Sequence, residues 1–476
     1  MRVPRNNQNN KLPLPSPDIK TSSCEGEVSH RKSINLAEIA HKRVEIDFEG
    51  GDLTSDAGAL FLREVERQTG IIKAVTECIR DKRDQRYVRQ QLESLIKQRV
   101  IQIGCGYEDG NDCNCLRHDP SMKMAAGREP ISGDALASQP TMSRFENAIS
   151  RKDLVRIGYA FANHFIASYR EEPAIVVLDF DDTDDAVHGA QQLSLFNTYY
   201  GGYCYEPLHI YEGLSGRLIT TILRPGKRTS SREVVAILSR LVPLLRSAWK
   251  ETIVVFRGDS HFSAPATLKW LDDNDILYAI GQAKNSVLER LAQQTLLEAR
   301  QLYNTTHRKV RLFDSFEYQA DSWDKPRRVI VKAEITDRGE NLRFVVTNIQ
   351  NDEPQQTYDI IYCARGNMEN NIKDHKLFLK SDRTSCTKFE ANQFRLFLHS
   401  VAYVLMHALR ENLLKGTEFS TATFATIRQR VLKIGALVRE LKTKIKIHLP
   451  SSYPLKPLLE RIGGIFTILR LSVNTA

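Results

Sequence analysis

The apolar residues of the amino-terminal third recur with a helical period. Between Asp56 and Cys105 they return every three or four positions, which predicts amphipathic helices. A further helix is predicted to begin near Ser138. Residues 1–33 are rich in Asn, Pro, Ser and Lys and have no period, so we expect a flexible basic arm there. The pattern therefore predicts a helical amino-terminal domain over residues 34–170.

A change of pattern at Pro173 predicts the start of a β-sheet. Residues 174–181 form a β-branched apolar run, which is typical of a buried central strand. The elements predicted after it run in the order strand, strand, helix, strand, helix, strand: Glu206–Tyr211, Arg217–Leu223, Ser231–Trp249, Thr252–Phe256, Ala264–Leu271 and Leu277–Ile280. Three consecutive strands followed by alternating helices and strands is the element order of a ribonuclease H-like core.

The remaining third contains a β-rich stretch, helices and a basic end. Residues 305–350 alternate between apolar and polar positions, which predicts strands. The helical period then resumes over Gly366–Leu414 and Ala422–Leu441. Lys444 and Lys446 alternate with apolar residues, so a strand here would present either a basic face suited to a DNA backbone or a solvated edge protected by lysines.

Together these patterns predict an α/β protein. Its expected parts are a ribonuclease H-like catalytic core, a β-rich insertion, a helical amino-terminal domain and a helical carboxyl-terminal region. The predicted boundaries after the amino-terminal domain are 171–300 for the first part of the core, 301–355 for the insertion, 356–415 for the last part of the core and 416–476 for the basic carboxyl-terminal region.

Composition narrows the class of protein. No apolar run approaches the roughly 18 residues of a membrane span, and the first residues lack the apolar segment of a signal peptide. We therefore expect a cytoplasmic protein without a membrane partner. Eight cysteines in so long a chain do not form a disulfide framework. The residues that could bind zinc lack the paired spacing of a structural site, so reduced thiols are expected: Cys105, Cys113, Cys115 and His118.

The net charge of +9 is unevenly distributed along the chain. From Asn370 to the end there are 18 Lys and Arg residues against 7 Asp and Glu residues. In contrast, Glu171 to Asp185 holds seven carboxylates within fifteen residues. A basic chain with one dense acidic segment suits an enzyme that binds a polyanion and uses carboxylates to hold cations. An uneven but solvated surface is the alternative interpretation.

Three aspartates are candidate metal ligands. Asp179 and Asp181 lie two positions apart near the end of a predicted strand, so both project from the same face. Asp259 follows the predicted strand Thr252–Phe256. The carboxyl ends of neighbouring parallel strands share one edge, where two Mg2+ ions about 3.5–4 Å apart could clamp the oxygens of a phosphodiester. Taken alone, each aspartate also suits a helix cap or a turn.

The segment from Val177 to Thr183 also resembles the first motif of haloacid dehalogenase-type phosphatases. In that family Asp179 would be the phosphorylated nucleophile and Asp181 the acid or base. The stretch around Asp259 resembles part of the last acidic motif of those enzymes, but its second acid is missing and no lysine motif precedes it. A phosphatase that uses Asp179 therefore remains an incomplete alternative.

A third acid distinguishes the two hypotheses. The spacing of Tyr362, Arg365, Glu369 and Lys376 resembles the Y-R-E-K signature of one superfamily of insertion-sequence DDE transposases. On a helix, Glu369, Lys373 and Lys376 share one face. That face would direct one carboxylate at metal ions while ammonium groups meet phosphates. A surface helix with a Glu–Lys pair is the structural alternative.

With these motifs in place, the chain resembles the insertion sequence 1380 group of transposases, DDE domain group 1, over most of its length. The stretches that carry the resemblance, beside the Y-R-E-K segment, are Gly106–Asp112, Leu136–Thr141, Leu178–Thr183, His188–Gln191, Glu206–His209, Leu223–Gly226, Arg257–Ser260 and Ala391–Arg395. The resemblance implies a ribonuclease H-like catalytic domain with a β insertion between the second aspartate and the glutamate.

The resemblance also implies which residues act. Asp181, Asp259 and Glu369 would be the catalytic triad and would bind Mg2+, with two ions per site and Mn2+ as a substitute. Asp179 would be a further metal ligand or the first acid itself. The residues expected to hold DNA near the cut are Tyr362, Arg365, Lys373 and Lys376, because Arg, Lys and Tyr offer a planar fork, a point charge and a stacking face.

The expected partner is double-stranded DNA. A member of this group would bind the terminal inverted repeats of its own element, hydrolyse the DNA ends and join the 3′ ends to target DNA by transesterification. The helical amino-terminal domain would bind DNA, and two chains would form a homodimer in the synaptic complex, associated with the bacterial nucleoid. Trp323 could stack on a flipped base if a DNA hairpin forms, although a core tryptophan is favoured. A retired transposase that only binds DNA is a further alternative.

Overall fold

The computed structural model describes residues 33–350 and 352–473, with side chains up to residue 467. All but the last residue of the predicted arm, 1–33, therefore lies outside the described residues. The chain divides into one unit that ends at Gly51 and a second unit that begins at Asp52.

The first unit contains an antiparallel hairpin of β1 (Ile34–Ile39) and β2 (Lys42–Ile46). Ala40 and His41 connect the strands, and both have positive φ angles, 48° and 64°. A two-residue hairpin turn needs such angles to match the twist of its strands. The segment that begins the predicted helical domain thus forms strands. Ile34 and Leu36 on β1, and Val44 and Ile46 on β2, alternate with polar residues, which is the period of a strand.

The strands of the second unit lie in three sheets within the described residues. In chain order they are β3 (Leu53–Thr54), β4 (Ile175–Asp182), β5 (Asp185–Ala186), β6 (Leu195–Asn197), β7 (Gly202–Tyr205), β8 (Leu208–Glu212), β9 (Leu218–Ile222), β10 (Ile253–Gly258), β11 (Leu277–Gln282), β12 (Val310–Tyr318), β13 (Arg327–Thr336), β14 (Gly339–Thr347), β15 (Ala436–Leu441) and β16 (Lys444–His448).

The largest sheet is mixed and has eight strands in the order β12-β13-β14-β11-β10-β4-β8-β9. Its centre consists of β4, β10 and β11, which are parallel to one another. The strands β8 and β14 pair with this centre in the antiparallel direction. The strands predicted over residues 305–350 are confirmed as β12, β13 and β14, and they belong to the same sheet because β14 pairs directly with β11. The two smaller sheets have the orders β5-β7-β6 and β16-β15-β3.

Helices surround these sheets. In chain order they are α1 (Ala59–Thr69), α2 (Ile71–Glu77), α3 (Leu92–Gly104), α4 (Asp112–Leu116), α5 (Pro120–Ala125), α6 (Gln139–Glu146), α7 (Arg151–Ala167), α8 (Ser231–Ala248), α9 (Pro265–Asp273), α10 (Ser286–Leu291), α11 (Gln293–Thr306), α12 (Pro354–Gln356), α13 (Gly366–Lys373), α14 (Phe389–Ala408), α15 (Phe424–Ile427) and α16 (Lys456–Val473). Short 3-10 turns lie at Gln85–Tyr87, Ser260–Phe262 and Cys363–Arg365, and π-helical turns at Thr357–Tyr362, Asp374–Phe378, Leu409–Leu413 and Arg428–Leu432. The helical period predicted between Asp56 and Cys105 is confirmed by α1, α2 and α3. None of the helices in the described ranges combines the length and apolar character needed to cross a membrane.

Both faces of the large sheet are covered, and the side chains of β4 alternate between them. Leu178 and Phe180 point to one face, where they join a buried cluster with Leu238 of α8. On the other face Asp179 is paired in register with Tyr211 of β8, whose ring lies 5.2 Å from the ring of Tyr403 in α14. A sheet between two helical layers is the mixed α/β architecture that the sequence predicts.

The carboxyl-terminal region differs from the prediction of a helix over Ala422–Leu441. Helical structure ends at Leu432, and Gly435 separates it from β15. The cause is a change of period: Ala436 and Val438 are buried while Arg439 is exposed, which is the alternation of a half-buried strand. Lys444 and Lys446 lie on the strand β16 and are exposed.

Candidate active site

Asp181 and Asp259 lie at the same edge of the large sheet. The parallel strands β4 and β10 are in register, with Arg257 opposite Asp179, and the same offset places Asp259 level with Asp181. Both aspartates line an open cleft of about 550 Å³. The structure thus brings together two of the carboxylates that the sequence singles out.

Asp181 lies among other charged groups. Its side chain is 14% exposed, and its Oδ2 accepts a hydrogen bond from Arg365 Nη2 at 2.9 Å. Burial raises the pKa of Asp181 to about 7, helped by the negative charges of Asp259 and Asp182 and opposed by Arg365. A cation beside Asp181 would be stabilised by the same negative charges that raise the pKa of Asp181.

His261 lies between Asp182 and Asp259 and pairs with both carboxylates. Its Nε2 is 3.1 Å from Asp182 Oδ2, and its Nδ1 contacts Asp259 Oδ1. Burial alone would lower the pKa of His261, but the hydrogen bonds and negative charges of the two aspartates outweigh it and raise the pKa to about 9. The two carboxylates thus favour the charged form of the imidazole.

Glu206 is a further carboxylate of this cleft that sequence reasoning did not single out as a site residue. It is 3% exposed, lines the cleft, and its Oε2 has no hydrogen-bond partner among the described residues. Burial, together with the charge of Asp182, raises its pKa. The sequence could have identified Glu206 through the Glu206–His209 stretch that carries the family resemblance. It could have identified Asp182 and His261 because they lie close in sequence to Asp181 and Asp259.

Asp179 points away from the cleft into a buried ion pair. Both of its oxygens accept hydrogen bonds from Arg257, from Nε and Nη2, each at 2.6 Å, and the two side chains are 0% and 2% exposed. Arg257 also donates from Nη1 to the carbonyl of Ile361 at 2.8 Å. Gly213 approaches so closely that a Cβ there would lie 2.2 Å from Arg257 Nη2. The pair therefore links β4 and β10 to the helical segment that carries Tyr362 and Arg365.

The Y-R-E-K residues lie on one helical segment, which runs from α12 to the π turn at Asp374–Phe378. From it Lys376 donates to Thr183 Oγ1 at 3.1 Å, to Asp184 Oδ1 at 2.8 Å and to the carbonyl of Asp184. Tyr362 places its hydroxyl where a Cβ on Gly281 would be only 2.8 Å away. Together with Arg365 on Asp181, these contacts fix the segment against the acidic end of β4.

Glu369 and Lys373 lie on α13 and are exposed. The side chain of Glu369 has no hydrogen bond or ion pair to any other described residue, and it does not line the cleft. Over residues 33–350 and 352–473, no three His, Cys, Asp or Glu side chains are arranged to hold one metal ion. The structure thus brings Asp181 and Asp259 together but leaves the carboxylate of Glu369 outside their group, one helical turn beyond Arg365.

The sequence also offered a tryptophan and a group of cysteines as candidate site residues. Trp323 is 6% exposed, its ring contacts Tyr318 edge-on at 5.3 Å, and the guanidinium of Arg327 lies 5.4 Å from it. A buried tryptophan with two partners serves the core, as the sequence favoured. Cys105 and Cys113 are buried free thiols, and burial raises the pKa of both.

Comparison with known proteins gives one family. Residues 36–470 match the family described as transposase DDE domain group 1. No curated protein shows a significant match. Among solved structures, the cryo-EM structure of a piggyBac transposase synaptic complex with hairpin DNA is similar, at 12% sequence identity and a TM-score of 0.44, over 79% of this chain and 79% of that chain. Because the family match spans most of the sequence, this chain belongs to the transposase DDE domain group 1 family.

Proposed function

We propose that this transposase binds the terminal inverted repeats of its own insertion sequence and cuts the DNA ends by divalent-metal-dependent hydrolysis. It then joins the 3′ ends to target DNA by transesterification. The catalytic acids are Asp181, Asp259 and Glu369, carried on a ribonuclease H-like core. The observation that carries the proposal is the meeting of Asp181 and Asp259 in one open cleft, at the ends of neighbouring parallel strands.

The cleft has the chemistry that a hard cation needs. Asp181, Asp182, Asp259 and Glu206 all line it and offer oxygen atoms, the ligands that Mg2+ and Mn2+ prefer. One buried oxygen of Glu206 lacks a partner among the described residues, so it is available to a ligand. When bound, a pair of divalent cations would clamp the attacking and leaving oxygens of the phosphodiester. We propose two such ions.

The basic residues beside the acids hold and orient them. Arg365 donates a hydrogen bond to Asp181. Burial alone would lower the pKa of Arg365, but the negative charges of Asp181 and Asp259 outweigh burial and raise it. Lys376 fixes the chain just after β4 through Asp184. Of the four predicted DNA contacts, Lys373 is the exposed one, and it would meet a phosphate directly. Tyr362, Arg365 and Lys376 would hold the DNA from beside the acidic edge.

Glu369 completes the triad only after a local rearrangement. Its carboxylate has no competing partner among the described residues, so moving it breaks no hydrogen bond or ion pair there. π-helical turns at Thr357–Tyr362 and Asp374–Phe378 lie on either side of α13, and such turns often occur at functional sites. We propose that binding of DNA and cations brings Glu369 to Asp181 and Asp259. The same event would assemble two chains into the homodimer of a synaptic complex.

The surroundings of Asp179 do not favour the phosphatase alternative. A phosphorylated aspartate must expose one oxygen to its substrate, whereas both oxygens of Asp179 are buried and bound to Arg257. We therefore propose that Asp179 acts through Arg257, by holding the sheet to the Y-R-E-K segment, and is not a metal ligand.

An end-cleavage assay tests the proposed function. The substrate is a labelled duplex with the inverted repeat that flanks the gene, incubated with Mg2+ or Mn2+. Asp181→Asn, Asp259→Asn and Glu369→Gln should each lower cleavage by roughly 10²- to 10³-fold or more, the loss seen when one group that stabilises transition-state charge is removed.

Glu289→Gln is the matched control, because Glu289 is also an exposed helical glutamate, on α10. It should cleave like the wild type, and all variants should bind the duplex. Binding without cleavage by the wild type would instead identify a retired transposase. Cleavage by Asp181→Asn at the wild-type rate would contradict the proposal.

A further inference from the structure

A turn with exposed aromatic rings borders the acidic cleft. It runs from Phe196 in β6 into the connection with β7, and Phe196, Tyr199 and Tyr200 line the cleft. Their exposed fractions are 55%, 81% and 41%. Large aromatic side chains are usually buried when they serve only the fold. Three of them at the mouth of one cleft indicate a binding surface.

The turn is held in one geometry. Asn197 accepts from the backbone N–H of Tyr199 at 3.0 Å, and Gly201, with a φ of 69°, donates to the carbonyl of Asn197 at 2.9 Å. The rings of Tyr199 and Tyr200 meet edge to face, 4.9 Å apart. The two hydrogen bonds hold the backbone of the turn and the ring contact pairs Tyr199 with Tyr200, which lowers the entropic cost of binding.

A basic loop is attached to the same turn. Asn197 donates from its amide to the carbonyl of Gly226 at 3.3 Å, and Gly226 packs so closely that a Cβ there would lie 2.4 Å from the carbonyl oxygen of Cys204. The next residues, Lys227 and Arg228, line the cleft and are exposed. Neither forms an ion pair with another described residue, so both charges are available to an anion.

The aromatic groups, the basic groups and the carboxylates thus line a single cleft. Asp181, Asp259, the aromatic turn and the basic loop all line it. Flat rings beside cations match a nucleotide, whose base stacks on an aromatic face while its phosphate meets Lys or Arg. A base within an intact duplex cannot present its face, so the ligand must have left the base stack.

We propose that the turn from Phe196 to Tyr200 binds an unstacked nucleobase next to the phosphate that is cut, with Tyr199 as the main stacking face and Lys227 and Arg228 on the adjoining phosphate. This inference rests on the proposed DNA cleavage for its placement. The site would hold the end nucleotide apart from the bases next to it. Phe196 also contacts the ring of Tyr203 edge-on at 5.6 Å, while most of the Tyr199 side chain is exposed in the protein alone.

Fluorescence of a 2-aminopurine probe tests the inference. One probe is a short duplex with a single bulged 2-aminopurine, and a second carries the same base fully paired. Binding is measured with full-length protein in EDTA at low salt, so that the proposed cleavage does not proceed. Wild-type protein should quench the bulged base by stacking. Tyr199→Ala should bind the bulged probe roughly 5- to 150-fold more weakly, while Tyr199→Phe keeps the wild-type affinity.

Leu214→Ala is the control, because Leu214 is an exposed apolar side chain, 67% against 81% for Tyr199, that lies outside the predicted DNA-binding domain and does not line the cleft. It should bind both probes like the wild type. Phe196→Ala provides a second variant at the site, with a smaller loss expected on the bulged probe. Far-UV circular dichroism verifies that every variant is folded.

Two results would overturn the inference. Either Tyr199→Ala binds and quenches the bulged probe like the wild type, or it loses equal affinity for the paired probe, which would make the turn a general duplex contact. Failure of the proposed function has a different signature. A bulge-specific loss in Tyr199→Ala, with no metal-dependent cleavage of element ends by the wild type, would support the base site and contradict the nuclease.

Discussion

Replacing Arg257 by methionine should destabilise the protein strongly, because the change leaves the carboxylate of Asp179 buried without a donor. Arg257 provides both hydrogen bonds to that carboxylate, at 2.6 Å each, and neither side chain is more than 2% exposed. Gly213 lies directly against the pair. We therefore expect an unpaired charge in a closed site, the most costly outcome for a buried ion pair.

The magnitude follows from the contacts that are lost. Removal of one partner of a buried ion pair costs about 3–5 kcal/mol in the free energy of unfolding. The hydrogen bond from Arg257 to the carbonyl of Ile361 adds about 1 kcal/mol. The expected total is about 4–6 kcal/mol. The double variant Asp179→Leu/Arg257→Met removes both charges and should recover most of it, because an apolar pair of similar volume is often as stable as the ion pair.

Urea unfolding followed by circular dichroism measures these differences. We expect Arg257→Met to unfold at much lower urea than the wild type, and the double variant to lie near the wild type. A loss below about 1 kcal/mol in Arg257→Met, or a double variant no more stable than the single one, would refute the buried-pair argument. If Asp179→Asn abolished Mn2+ binding without changing stability, Asp179 would be a metal ligand after all.

Two further predictions concern stability. Burial raises the pKa of Glu66 to about 7 from its usual 4.5, so the folded state holds the proton between these values. This proton should make the free energy of unfolding fall by roughly 3 kcal/mol as pH rises through that window, and Glu66→Gln should remove that contribution in unfolding experiments from pH 4 to 8, leaving the fall due to Asp181. Gly213→Ala should lower the melting temperature because its Cβ would collide with Arg257 and Asp179, at a cost of about 1–3 kcal/mol. Gly158→Ala, in α7 with no atom within 4 Å of the new Cβ, should instead raise it; equal shifts would contradict the packing argument.

Local patterns were sufficient to predict most elements of the core. The β-branched run before Asp181 is β4, and the predicted helix at Ser231–Trp249 is α8 almost to the residue. The family implied by the Tyr362 to Lys376 motif is confirmed by the match over residues 36–470. Periods and motifs of this kind depend on neighbours in sequence, and a single chain displays them directly.

What sequence could not predict depends on contacts between distant segments. The partner of Asp179 is Arg257, 78 residues further along the chain, and no local pattern joins them. The insertion could be read as strands, but its continuation of the core sheet depends on the pairing of β14 with β11. His261 was missed because its position between Asp182 and Asp259 arises only when β4 and β10 lie side by side.

Glu369 shows the same limit most clearly. The motif identifies the residue, and the helical period places it on one face with Lys373. Whether that face meets the acidic edge depends on how the whole segment docks. The structure fixes this docking through Arg365 on Asp181 and Lys376 on Asp184, and it leaves Glu369 exposed.

Counting bound Mn2+ by electron paramagnetic resonance tests the triad most directly. The sample is the full-length protein with a duplex carrying the element end, compared with Asp259→Asn, Glu369→Gln and the control Glu289→Gln. We expect two ions per chain in the wild type and the control, and fewer in the other two variants. If Glu369→Gln binds Mn2+ and cuts the DNA as the wild type does, Glu369 does not join Asp181 and Asp259, and the account is contradicted.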